Sequence, residues 1–220
     1  MADYKEIIGL DIEAKSANPT DTITGEIWFN TTTGKLSYKK ADGANTWTTG
    51  GDLNVGRRMH GGAGTQTAAL MFGGSESPGT SNATEEWNGS SWTSGGNLGT
   101  ARYQLSGNNV GTQTAGLCVG GYSGGAKDLV EEYNGSSWTA GGALPTAEGI
   151  AARYGLQTAA TIAGGGPGPA PNATARQYDG SSWTTIASIA TGRAFVSGCG
   201  SNSGGLIFGG SSATAATEEF

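Results

Sequence analysis

Chemistry-bearing side chains are scarce in this chain of 220 residues, which has two cysteines, one histidine, 12 basic and 18 acidic residues. Two thiols do not make a disulfide scaffold. Cys118 stands two residues before a Gly-Gly pair, where related stretches place Met71, Ile162 and Ile207, so it is expected as a small apolar core residue. Cys199 falls at a different place in its stretch, which argues against pairing the two. His60, beside Gly61 and Gly62 in an expected loop, cannot build a zinc site with two distant cysteines. No metal or cofactor is expected. A net charge of −6 leaves no basic footprint for nucleic acid. Five of the six lysines (Lys5, Lys15, Lys35, Lys39 and Lys40) come early and Lys127 follows alone, too sparse for a polybasic membrane anchor. The apolar run near the N-terminus covers only Ile7 to Leu10, so neither a signal peptide nor a membrane span is expected, and the chain is expected to be made in a cytoplasm. No segment holds a 3.6-residue apolar period over ten residues, which predicts no helix.

Glycine, by contrast, is abundant at 41 residues. Collagen's Gly-X-Y period is missing, and the glycines recur at fixed places in a longer repeat. Glu131-Glu132-Tyr133-Asn134-Gly135-Ser136-Ser137-Trp138-Thr139 is preceded by Glu85-Glu86-Trp87-Asn88-Gly89-Ser90-Ser91-Trp92-Thr93. It returns as Arg176-Gln177-Tyr178-Asp179-Gly180-Ser181-Ser182-Trp183-Thr184. Thr46-Trp47-Thr48 and Glu218-Glu219-Phe220 are fragments of the same unit. Trp47, Trp92, Trp138 and Trp183 are 45, 46 and 45 residues apart. Gly73-Gly74, Gly120-Gly121, Gly164-Gly165 and Gly209-Gly210 keep the same beat, as do Thr65-Gln66-Thr67-Ala68 and its counterparts at Thr112 and Leu156. A period of about 45 residues with three markers points to the blades of a β-propeller.

Each repeat divides into four short strands. The first follows Arg57, Arg102, Glu148 or Arg193, and the second is the apolar run ending in Gly-Gly. The third ends on Trp87, Tyr133, Tyr178 or Phe220, and the fourth carries the repeating tryptophan. Asn-Gly or Asp-Gly between the third and fourth strands is a strong hairpin signal. The small residues of the second strand suit a crowded position near the propeller axis, with the aromatic strands further out. Residues 1–44 read as a leader and a hairpin, Gly25 to Lys39, and residues 45–220 as the propeller. The fourth repeat stops at Phe220 without its tryptophan strand, so the segment around Trp47 is expected to close the ring there. The rival is the start of a longer array with more blades.

Gly-Gly, a later Glu-x-Tyr, a tryptophan five residues after the tyrosine and a downstream Leu98-Gly99-Thr100-Ala101-Arg102 together resemble kelch repeats over about residues 45–220. The turn between aromatic and tryptophan is shorter than usual for that family. Separately, Gly25-Glu26-Ile27-Trp28-Phe29-Asn30-Thr31-Thr32-Thr33-Gly34-Lys35-Leu36 resembles the opening of many tailed-bacteriophage virion and tail-fibre proteins. The resemblance implies a non-enzymatic virion structural protein, docked on other virion proteins through its N-terminal segment. Homo-oligomeric in the particle, it would turn its propeller toward a host glycan or protein. The alternatives are a kelch-like interaction module of a bacterial protein and a purely architectural virion component.

The glutamate pairs Glu85-Glu86 and Glu131-Glu132 do not read as glycosidase carboxylates, because they recur at one repeat position and neighbours on a strand face opposite ways. The Asn-x-Ser/Thr triplets, at Asn88 and Asn134 among others, read as turn chemistry. Variation concentrates in the loops after Gly-Gly, where Tyr122, Lys127 and Asp128 form the one aromatic and charged cluster and the candidate ligand-binding residues. Charge varies in a correlated way as well. Arg57, Arg102 and Arg193 accompany Glu85, Glu131 and Glu218, while the third repeat exchanges the signs as Glu148 and Arg176. Pairing within each repeat gives four attractions, whereas pairing across repeats would oppose Glu131 to Glu148 and Arg176 to Arg193. Four ion pairs within blades are therefore expected.

Overall fold

The computed structural model describes residues 13–17, 27–38, 47–105, 109–166, 171–211 and 215–220. Among them there is no helix. The chain is all-β, and its backbone contacts divide it into two units, Met1–Thr49 and Gly50–Phe220.

The first unit contains one small sheet of β1 (Glu13–Lys15), β2 (Ile27–Asn30) and β3 (Lys35–Tyr38), in the order β1-β2-β3. The β2–β3 hairpin turns because the Asn30 side-chain oxygen accepts from the Thr32 and Thr33 amides, both at 3.0 Å, and Gly34 takes a φ of +66°. Trp28 is buried in this sheet. The leader adds a strand of its own to the expected hairpin, since β1 lies parallel to β2 with Glu13 opposite Trp28.

In the second unit four sheets are arranged as a four-blade β-propeller. Blade 1 comprises β4 (Gly61–Thr65), β5 (Ala68–Phe72), β8 (Thr84–Trp87) and β9 (Trp92–Ser94), with a ribbon of β6 (Ser75–Glu76) and β7 (Gly79–Thr80) after β5. Blade 2 has β10 (Gly111–Thr112), β11 (Ala115–Val119), β12 (Val130–Tyr133) and β13 (Trp138–Ala140). Blade 3 has β14 (Ala152–Leu156), β15 (Ala159–Ala163), β16 (Ala175–Tyr178) and β17 (Trp183–Ile186). Blade 4 has β18 (Ser197–Ser201), β19 (Gly204–Phe208) and β20 (Thr217–Glu219). All pairings within blades are antiparallel.

One expectation needs correction. The strand at the inner edge is the first of each blade, not the small-residue second one: β4 meets β10, β10 meets β14 and β14 meets β18. The second strand is instead sandwiched between the first and third, so its side chains face neighbouring blades on both sides. Residues 47–50 lie outside any strand, and among the described residues β20 is the outer strand of its sheet. Thr46 lies outside the described residues.

The repeat markers are the parts that join blade to blade. The Gln of the first hairpin reaches back: Gln113 Nε2 donates to the Ala69 and Trp87 carbonyls at 3.1 and 2.6 Å, and Gln157 Nε2 to those of Gly116 and Tyr133 at 3.0 and 2.7 Å. The third-strand tyrosine does the same. Tyr133 donates its hydroxyl to Glu86 at 2.5 Å and Tyr178 to Glu132 at 2.6 Å. Trp138 packs edge-on against Phe72 of the preceding blade, and its indole N–H donates to Thr84 at 2.8 Å. Tyr178 stacks on Trp183 with ring centroids 4.8 Å apart. The Asn-Gly-Ser-Ser turns close on themselves, with the Asn88 and Asn134 side-chain oxygens accepting from the two following serine amides. Asp179 does likewise, and the Ser182 and Ser181 donors hold its carboxyl far below the usual carboxylate range. The Gly-Gly pairs lie at positive φ, and a Cβ on Gly120 would sit 2.1 Å from the Glu148 carbonyl oxygen, so no other residue fits there.

Burial, then the bond to Glu86, pushes the Tyr133 hydroxyl up from 10.0 to about 12, and burial with the bond to Glu132 does the same for Tyr178. A folded-state value above the unfolded one stabilises fully below pH 10 and is lost as pH rises through about 12. Thermal melts should therefore fall more steeply between about pH 10 and 12 in the native chain than in a Tyr133→Phe, Tyr178→Phe double variant. Equal slopes would mean that these hydroxyls do not sense the fold.

Candidate functional site

In every blade the chain enters through the opening Arg or Glu, and the next residue pairs with the one that follows Gly-Gly. Arg58 exchanges backbone hydrogen bonds with Ser75 at 3.0 and 2.8 Å, and Tyr103 with Tyr122 at 3.0 and 2.9 Å. Gly149 pairs with Gly166 in the same way, and the Ser211 amide donates to the Ala194 carbonyl at 2.7 Å. The frame is common to the four blades while the side chains on it differ. Blade 1 presents Arg58 and Ser75, blade 2 presents two tyrosines, and blades 3 and 4 present glycine, alanine and serine.

The tyrosines form one feature. The rings of Tyr103 and Tyr122 are tilted with centroids 6.1 Å apart. Tyr122 also lies against Gly149 of blade 3, where a Cβ would come within 2.1 Å of its ring, so the glycine makes room for the aromatic. Partial burial, with Tyr103 and Glu148 nearby, raises the Tyr122 hydroxyl above its ordinary value. Beside Tyr103 a concavity of about 670 Å³ is lined by Arg58, Ser75, Glu76, Ser77 and Thr80. An aromatic ring, a guanidinium and several hydroxyls in one open hollow suit a polar ligand with apolar faces, such as a saccharide.

Of the three residues that the loop pattern marks for ligand binding, Tyr122 belongs to this feature, and Lys127 and Asp128 are tied into the frame. The Lys127 amide donates to the Gly121 carbonyl at 2.9 Å and its own carbonyl accepts from Glu148 at 3.0 Å. The Asp128 carbonyl accepts from Leu144 at 2.8 Å, as Asn82 accepts from Leu98 in blade 1. Sequence reasoning misses Arg58 and Tyr103. The signal for them is the residue after each opening Arg or Glu, which varies as much as the loops do.

The opening charged residues are buried. Arg57 meets Glu85, Arg102 meets Glu131 at 2.6 Å, Arg176 meets Glu148 at 3.0 Å, and Arg193 meets Glu218. Arg102 Nη1 also donates to the Gly120 and Leu129 carbonyls at 2.8 and 2.9 Å, fixing the base of the variable loop. In blade 3, where the guanidinium starts from the third strand, Asn172 donates to both Glu148 oxygens at 3.2 and 3.0 Å and Arg176 Nη2 to Thr146 at 2.7 Å. These pairs hold the blade together, and Arg57 also borders the hollow beside Tyr103. Among the described residues no three His, Cys, Asp or Glu side chains gather as metal ligands. Burial pushes the Cys118 thiol up to about 11, leaving it an inert core group, and Cys199 is free and exposed.

No protein-family model matches the chain, and no curated protein is significantly similar to it.

Proposed function

We propose that the chain is a non-enzymatic structural component of a tailed-bacteriophage virion, a tail fibre or other appendage. It attaches to other virion proteins through its N-terminal segment and turns a kelch-like propeller toward a host-surface glycan or protein. The observation that carries this reading is the hairpin of β2 and β3. Its stretch Gly25 to Leu36 resembles the opening of virion and tail-fibre proteins, and it belongs to a unit separate from the blades. An attachment module beside a display module is the division of labour an appendage needs. The blades support the display role, since they repeat one frame and vary only in the side chains and loops mounted on it. The recurring carboxylates are engaged in the frame: Glu85, Glu131, Glu148 and Glu218 in ion pairs, and Glu86 and Glu132 by tyrosine hydroxyls. Density-gradient-purified particles from a lysed culture, analysed by mass spectrometry, should contain the chain at structural stoichiometry. Its presence in the cell lysate and absence from the particles would favour a bacterial interaction module instead.

A further inference from the structure

Blade 3 carries one buried cation that its sister blades lack. Gly62, Asn109, Arg153 and Gly198 occupy the same place on the first strands, each two residues before a glycine at positive φ. Arg153 is the one charged residue of the four, and it is fully buried, opposite Ile162 on the neighbouring strand. Its Nη1 donates to the Ala151 carbonyl at 3.1 Å, whereas Nε and Nη2 have no hydrogen-bond partner among the described residues. The guanidinium groups of Arg57, Arg102, Arg176 and Arg193 differ, because each meets a carboxylate and only its Nε is left over.

The ionisable groups that act on Arg153 through space are Cys118 and Arg102 of blade 2 and Glu148 at the opening of blade 3. None of them balances its charge. Burial pushes the Cys118 thiol up to about 11, so the sulfur is neutral at ordinary pH. The Glu148 oxygens accept from Arg176 at 3.0 Å and from Asn172 at 3.2 and 3.0 Å, and Arg102 is committed to Glu131 at 2.6 Å. The buried cluster of Arg102, Arg153, Arg176, Glu131 and Glu148 therefore holds three cations and two anions. Burial lowers the Arg153 guanidinium to about 10, which still leaves it protonated at neutral pH. A buried charge with no counter-charge is strongly disfavoured, and a water molecule would satisfy the N–H groups without cancelling the charge.

We infer that the propeller binds a small monovalent anion, of the size of chloride, on Nε and Nη2 of Arg153 where blade 3 meets blade 2. These two nitrogens lie on the same edge of the planar guanidinium, so their N–H bonds run parallel and one anion accepts from both. A single negative charge brings the cluster to three cations and three anions. Full burial of Arg153 limits the ligand to an ion without bulky substituents, which excludes sugar acids and phosphorylated molecules. The site is separate from the hollow beside Tyr103, whose lining does not include Arg153. An anion held there ties the inner strand of blade 3 to the buried charges of blade 2 and stabilises the folded propeller, because the unfolded chain has no such site.

Thermal melts of the full chain at constant ionic strength, with sodium gluconate replaced stepwise by sodium chloride, test this. Chloride should raise the melting temperature of the native protein by roughly 5–10 °C when it exceeds its dissociation constant about a hundredfold. Arg153→Met keeps an unbranched side chain and removes the charge, so its melting temperature should be the same in both salts. Crystals of the native protein grown with bromide give a second reading that does not require the variant to fold. An anomalous peak should lie at hydrogen-bonding distance from Nε and Nη2 of Arg153. A native melt indifferent to chloride would mean that water alone meets the guanidinium, and would overturn the inference. So would a chloride shift that persists in folded Arg153→Met, or bromide found only on the protein surface.

Discussion

Reversing one charge in blade 3, Glu148→Arg, should destabilise the protein by about 3–5 kcal/mol, and adding Arg176→Glu should restore most of that loss. Glu148 and Arg176 are both buried, and their oxygen–nitrogen distance is 3.0 Å. The single variant sets two guanidinium groups against each other where water cannot screen them. For a chain of this size such a loss lowers the melting temperature by roughly 6–20 °C. The double variant recreates the arrangement of the other blades, where an arginine at the opening position also reaches the carbonyls at the base of the loop. Arg102 does so through Gly120 and Leu129, and Arg193 through Gly209 and Ala216. Rescue should stop short of complete, because Asn172 and Thr146 are placed to serve Glu148 and Arg176 in their present positions. A double variant no better than the sum of the singles would show that the two side chains are not coupled. The burial makes these pairs more consequential than exposed ion pairs, which contribute at most about 1 kcal/mol.

Much of the frame is legible in the sequence because the chain states it four times. Second strands end at Phe72, Val119, Ala163 and Phe208, each followed by the Gly-Gly pair, and Asn-Gly or Asp-Gly marks the hairpins that follow. The exchange of Glu148 with Arg176 separates contacts within a blade from contacts between blades, because only one pairing keeps opposite charges together. Strand order from the axis outward is not legible. Small residues in β11 and β15 look crowded whether the crowding comes from an axis or from blades on both sides, and residue size alone does not distinguish the two. The role of the glutamine in Thr-Gln-Thr is hidden as well, since a hairpin glutamine reads as a polar turn residue until the neighbouring carbonyls are in view.

Replacing Tyr103 and Tyr122 together by alanine should cut binding of the protein to host cells at least tenfold while leaving its fold intact. Both rings are only partly buried, their hydroxyls are not part of the contacts that join blades, and the backbone bonds between residues 103 and 122 do not depend on side chains. The loss follows from the position of the rings: Tyr103 lines the hollow that contains Arg58 and Glu76, and Tyr122 is tilted against it and lies on the bare Gly149 of the next blade. Alanine there removes the flat apolar surfaces on which a sugar or a peptide would rest, and truncating aromatic anchors commonly removes about 2 kcal/mol or more of binding. Ser211→Ala, at the matching place in blade 4, provides the control. The decisive measurement is a binding isotherm of fluorescently labelled protein on cells of the host that yields the particles. The account predicts saturable binding by the native chain and by Ser211→Ala, with at least a tenfold weaker curve for the tyrosine double variant. Native protein that does not bind, or a folded double variant that binds as tightly as the native chain, would contradict it.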